Sequence, residues 1–142
     1  MAEELIDIDV PDHLVMHVLS DSTGRTASSV VCGAIIQFPS GTVDVRGLTH
    51  VTNVDQVKKY VERYVDDAAM TACFHTIIDA DLRDKVRTLL DERGIPSIDL
   101  LGPATKILTR LLQEDPVYTP NATMETALYN THLMDASFLD LN

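Results

Sequence analysis

Apolar and polar positions along the chain fall into one pattern that repeats four times: a short apolar run, then a segment with helical spacing. Residues 14–19 form a continuous apolar run around His17, as expected of a strand buried on both faces. Ala27, Val30, Val31, Ala34, Ile35 and Phe38 follow at helical spacing, and Pro39-Ser40-Gly41 predicts the stop. Residues 42–48 predict a second strand, less apolar and so nearer a sheet edge. Asn53 is placed to cap a second helix whose apolar positions are Val54, Val57, Tyr60, Val61, Tyr64 and Val65. Residues 71–78 predict a buried third strand. Asp79 caps the next helix, which turns Leu82, Val86, Leu89 and Leu90 inward and ends at Gly94. Residues 95–100 predict a fourth strand. Gly102-Pro103 then opens a helix with Ala104, Ile107, Leu108, Leu111 and Leu112 as its apolar face.

Strands alternating with helices imply βαβ units, and hence an α/β fold with a four-stranded parallel sheet in a Rossmann-like arrangement. The pattern changes after residue 113. Residues 114–123 carry Pro116 and Pro120 and predict an extended connector. Residues 124–139 predict a weakly amphipathic C-terminal helix with Tyr129, Leu133 and Ala136 on one face. The chain thus divides into an N-terminal arm (1–13), an α/β domain (14–113), and a connector with a last helix (114–142).

Composition narrows the function classes. The chain has 142 residues and a net charge of −11, with its basic residues scattered. A nucleic-acid surface needs clustered Lys and Arg, so that class is excluded. No apolar run approaches the ~20 residues of a membrane span. The first thirteen residues are acidic and polar, without a basic leader, so a cytoplasmic location is expected. Cys32 and Cys73 both lie in apolar runs and are expected to be buried, reduced thiols. A metal site needs more ligands at closer spacing than these two cysteines, and no two histidines have metal-ligand spacing.

The chemistry concentrates at predicted strand ends, where open parallel sheets bind ligands. Ser20-Asp21-Ser22-Thr23-Gly24-Arg25-Thr26 follows the first strand directly and leads straight into a helix. Its hydroxyls, its glycine and Arg25 suit an anion at the helix N-terminus. The same residues also suit a plain N-cap loop. Asp21 would repel a phosphate unless a cation intervened, and could instead serve as a base or magnesium ligand. Asp99, at the end of the fourth strand, is a second candidate carboxylate. Asp79, Asp81 and Asp84 fit a helix cap and dipole partners. His17 and His75 fit the core, whereas His50, at a strand end, is a candidate for function. His13 and His132 are expected in solvent. The sequence contains no Gly-x-x-x-x-Gly-Lys-Ser/Thr, Gly-x-Gly-x-x-Gly or Gly-x-Ser-x-Gly run. No catalytic residue is assigned.

The run Ser20-Asp21-Ser22-Thr23-Gly24-x-Thr26-Ala27 resembles the opening of the regulatory proteins of phosphoenolpyruvate synthase and pyruvate, phosphate dikinase. Gln37-Phe38-Pro39, Arg46, Asp79-x-x-Leu82-Arg83, Gly94-Ile95-Pro96 and Asp99-Leu100-Leu101-Gly102-Pro103 extend the resemblance, as do Tyr129 and Phe138. It covers roughly residues 14–139. Thr49 departs from a proline of the family pattern, and a basic pair is absent around Thr123 to Thr126.

The resemblance implies a bifunctional family. Its members use ADP to phosphorylate a threonine of the target enzyme, and remove that phosphate with inorganic phosphate, releasing pyrophosphate. The implied partner is pyruvate, phosphate dikinase or phosphoenolpyruvate synthase. The implied nucleotide loop lies in a kinase half that follows this region, so this chain is expected to hold no cofactor and to be inactive alone. Its ligand-binding candidates are Ser20 through Thr26, with Arg46 and Asp99. Three readings stay open: the N-terminal domain of a larger phosphotransferase, a naturally short binding module that docks a dikinase or a separate kinase half, or an independent α/β enzyme using Asp21 and Asp99, with a homo-oligomer among the candidate assemblies.

Overall fold

The computed structural model describes residues 14–38 and 43–117. Within them β1 (Leu14–Ser20) leads to α1 (Arg25–Ile35), β2 (Val43–Leu48), α2 (Val54–Tyr64) and a 3-10 turn at Ala68–Met70. β3 (Thr71–Thr76), α3 (Ala80–Glu92), β4 (Ser97–Asp99) and α4 (Gly102–Leu112) complete the order. The four strands form one parallel sheet in the order β2-β1-β3-β4. The predicted α/β class, strand count and parallel sense are therefore all present. β3 and β4 are shorter than the apolar runs that predicted them. Ile77 remains in the core beyond the end of β3, and Ile95 lies there before β4 begins. The predicted helix over 124–139 and His13 and His132 lie outside the described residues.

Side-chain alternation along β1 divides the core into two layers. Val18 packs with Ala27 and Val31 of α1, together with Met16, Phe74 and Leu100. Leu19 packs on the other face with Val57, Tyr60 and Val61 of α2 and Val86 and Leu90 of α3. Both faces of the central strands are covered, which is why they read as unbroken apolar runs. β2 is an edge strand and is largely exposed, as its mixed composition predicted.

The local signals work as expected. Asn53 and Gln56 make a reciprocal capping box at α2. Asp79 Oδ1 accepts from the Asp81 and Leu82 amides at α3. Gly94 adopts φ +69 just past α3, a conformation that costs glycine little.

Two expectations are corrected. Cys32 is exposed, because α1 buries only Ala27 and Val31, and Cys32 lies one position off that narrow stripe. The apolar positions of α4 do not face the core. Gly102 is its only buried residue, and Ile107, Leu108, Leu111 and Leu112 are open to solvent. No helix among the described residues is long and apolar enough to cross a membrane.

Candidate functional site

Strand order reverses between β1 and β3, because β1 connects to β2 on one side and β3 connects to β4 on the other. Ligand crevices of doubly wound sheets form at such a point, beyond the carboxyl ends of the strands. The 20–26 loop emerges there.

That loop is held on both flanks. Toward β3, the Asp21 amide donates to Thr76 O at 3.3 Å and its Oδ2 accepts from the Ile78 amide at 2.8 Å. Toward β2, the His50 and Val51 amides donate to Ser22 O and Ser20 O, each at 2.9 Å. Inside the loop, the Ser22 amide donates to Ser20 Oγ at 2.9 Å. Asp21 is thus a clasp between two strand ends.

Gly24 closes the loop and begins α1. It has φ +81 and is the N-cap residue. A Cβ built there would lie 3.3 Å from Thr49 Cγ2. Conformation and space therefore both call for glycine. With glycine at the N-cap, α1 receives no side-chain cap, and its first turn holds no acidic residue. Thr23, Arg25 and Thr26 surround this helix start and are exposed. Thr23 Oγ1 makes only a 3.4 Å contact with the Arg25 amide. The positive end of the helix dipole and the exposed residues Thr23, Arg25 and Thr26 fall at this one turn, residue types that suit a phosphate or carboxylate.

Asp99 is engaged by its neighbours in the fold. Its Oδ2 pairs with Arg83 Nε at 3.2 Å, the two side chains being 14% and 8% exposed. Its Oδ1 accepts from the Leu101 and Gly102 amides at 3.0 and 2.7 Å, capping α4. A Cβ on Gly102 would collide with this carboxylate. Arg83 Nη1 in turn donates to Ile77 O and Ile78 O at 3.3 and 3.4 Å. Asp21, Ile78, Arg83 and Asp99 therefore form a continuous polar chain across the carboxyl ends of β1, β3 and β4. It fixes the floor under the 20–26 loop. Arg83 carried only a pattern match in the sequence, since buried arginines are rare and nothing local marks one.

Arg46 is not brought to the loop. It pairs in register with His17, three residues before Ser20, on the exposed edge strand. It belongs to a different group, in which His17 Nδ1 and the Tyr60 hydroxyl share a 2.6 Å hydrogen bond in the core. Burial, reinforced by Arg46, holds His17 below the usual histidine range. Burial also pushes the Tyr60 hydroxyl up to about 12. His75 is fully buried beside the Arg83–Asp99 pair, and neither ring nitrogen has a hydrogen-bond partner. Burial lowers its pKa, Asp99 opposes the shift, and Arg83 and Arg87 add to it. Among the described residues no cluster of His, Cys, Asp or Glu could hold a metal ion. Asp81 and Asp84 pair with Lys85 and Arg87 on the α3 surface.

Fold and site together define a doubly wound α/β domain with an anion-suited loop at its switch point. A family model described as kinase/pyrophosphorylase matches residues 16–136. The chain belongs to the kinase/pyrophosphorylase family. It is 29% identical over 106 residues to a protein of Carboxydothermus hydrogenoformans named as a pyruvate, phosphate dikinase regulatory protein, covering 75% of this chain and 38% of that relative. Proteins of the same name from Sorangium cellulosum and Trichlorobacter lovleyi are 33% and 34% identical over 105 residues, covering 74% of this chain and 37% and 38% of theirs. The chain spans somewhat more than a third of the length of these curated relatives.

Proposed function

We propose that this chain forms the N-terminal α/β part of a regulatory phosphotransferase acting on pyruvate, phosphate dikinase or phosphoenolpyruvate synthase. Its 20–26 loop would hold a phosphoryl group during that work, either the phosphothreonine of the target or inorganic phosphate. The observation carrying this reading is the start of α1: a helix N-terminus to which Gly24 offers no side chain and Thr23 Oγ1 only a 3.4 Å contact, flanked by the exposed Thr23, Arg25 and Thr26 and braced by Asp21.

The family description and the names of the relatives support the regulatory kinase/pyrophosphorylase class. In this reading ADP and inorganic phosphate are the co-substrates of the whole activity. Gripping a nucleotide's terminal phosphates normally requires a lysine in a glycine-rich loop, and this sequence has no such run. The chain is accordingly assigned binding without turnover.

Titration calorimetry with inorganic phosphate and with a phosphothreonine peptide tests the assignment. Saturable binding is expected for the parent chain, with at least ~tenfold weaker binding when Arg25→Ala or the pair Ser22→Ala, Thr23→Ala removes donors, since each tenfold step is ~1.4 kcal/mol of lost contacts. Absence of binding, or binding unchanged in these variants, refutes it.

A further inference from the structure

The two edges of the sheet are built differently. β4 is three residues long and offers a neighbour little to pair with, which is one way a natural edge is blunted. β2 pairs with β1 in an unbroken register from Val43 to Leu48, and among the described residues it has a strand on one side only. It carries no proline and no bulge, the other usual protections of an edge. What remains is charge. Asp44 and Arg46 stand beside Val15 and His17 in register and share one face of the strand. Val43, Val45 and Gly47 share the other, with Val45 37% exposed.

We propose that β2 pairs with β2 of a second copy of this chain, antiparallel about a twofold axis at Val45, so that the two sheets join into one. The charges select both the occupant and the register. With the axis at Val45, Asp44 of each copy stands directly opposite Arg46 of the other, and Val45 meets Val45 on the opposite face. Opposite charges directly across a strand pair are favourable, and like charges are unfavourable. Moving the axis by one residue sets Asp44 against Asp44 in one direction and Arg46 against Arg46 in the other. Two charges of opposite sign, one on either side of Val45, therefore make this edge complementary to a copy of itself. The backbone groups along the outer edge gain ladder partners in the same step.

The net charge of −11 opposes association at long range. At physiological ionic strength that repulsion is screened beyond ~8 Å, whereas the Asp44–Arg46 pairs act in contact. The antiparallel sense also sends the carboxyl ends of the two sheets in opposite directions. The two 20–26 loops therefore leave the joined sheet at opposite ends, and the pairing is independent of what they bind.

Charge-swapped chains test the proposal by sedimentation equilibrium in ~0.15 M salt, at chain concentrations up to ~1 mM so that weak association is reached. The parent is expected to reach twice its chain mass of 15.7 kDa. Asp44→Arg alone, or Arg46→Asp alone, sets like charges opposite each other in both pairs and should weaken the dimer at least ~tenfold. Mixing these two variants restores opposite charges in both pairs, and so does combining the two substitutions in one chain. Each should recover the parent's affinity to within ~threefold, and recovery in the mixture shows at the same time that both single variants are folded. A parent that stays monomeric overturns the proposal, including the case in which another part of the same chain pairs with β2. A dimer unaffected by both single substitutions overturns it, as does one that neither the mixture nor the combined variant restores.

Discussion

Asp99 touches two parts of the domain, and truncating it separates their contributions. Asp99→Ala removes the partner of a buried guanidinium and the cap of α4. Breaking a buried ion pair costs about 3–5 kcal/mol. Arg83 keeps its contacts with Ile77 O and Ile78 O, so the low end of that range, ~3 kcal/mol, applies. Losing the acceptor for the Leu101 and Gly102 amides adds ~1 kcal/mol. The sum, ~4 kcal/mol, is a large part of a typical folding free energy of roughly 5–15 kcal/mol. Urea unfolding followed by circular dichroism reads it directly. With a slope of ~2 kcal/mol per molar, the midpoint should fall by about 2 M. Asp99→Asn keeps an acceptor for the cap but loses the charge, and should cost ~3 kcal/mol. In an Arg83→Met background, Asp99→Ala should cost only the cap, ~1 kcal/mol. A loss below ~1 kcal/mol in the parent, or equal losses in both backgrounds, would refute the buried-pair reasoning.

Three further outcomes are expected. Gly24→Ala places a side chain at φ +81 against Thr49 and should lower stability by ~1–2 kcal/mol; an unchanged urea midpoint contradicts the strained-loop geometry. His17 and His75 have folded pKa values below 6.5. The unfolded chain therefore takes up protons first as pH drops. Their contribution is fully present above pH ~6.5 and is lost below it, at up to ~1.4 kcal/mol per pH unit for each histidine, until the folded pKa is reached. His75→Leu should flatten the slope measured between pH 7 and 5.5, and a slope as steep as the parent's would show that His75 does not titrate in that way. In thiol titration of the native protein, Cys32 should react rapidly. Cys73, buried and with its thiol pushed up to about 12, should react only on unfolding; two rapid equivalents would contradict its burial.

Much of the domain was legible from its sequence, and the reasons are local. Strands buried on both faces have no polar side, so residues 14–19 and 71–78 stood out as apolar runs. Asn53, Asp79 and Gly94 act within one helical turn, and each serves where its residue type predicted. The 20–26 loop was legible as a candidate anion loop because hydroxyls and a glycine stand between a predicted strand and a predicted helix, a pattern that a plain N-cap loop shares. Its donors were identified, but the part played by Asp21 was not, because the Ile78 amide that it binds is 57 residues away. Arg46 followed from a family pattern, and register then placed it beside His17, away from the loop.

By itself the sequence determined the alternation of strands and helices, the parallel sense of the sheet, the caps, and the position of an anion-suited loop. All of these depend on side-chain periodicity and on hydrogen bonds between near neighbours in the chain. Tertiary structure alone decided which carboxylates are used internally, that Arg83 is buried, that Cys32 is exposed, and that α4 turns its apolar side away from the sheet. Those outcomes depend on what each residue meets across the fold. A periodic stripe specifies that a face is to be covered, and only the placement of neighbouring elements specifies by what.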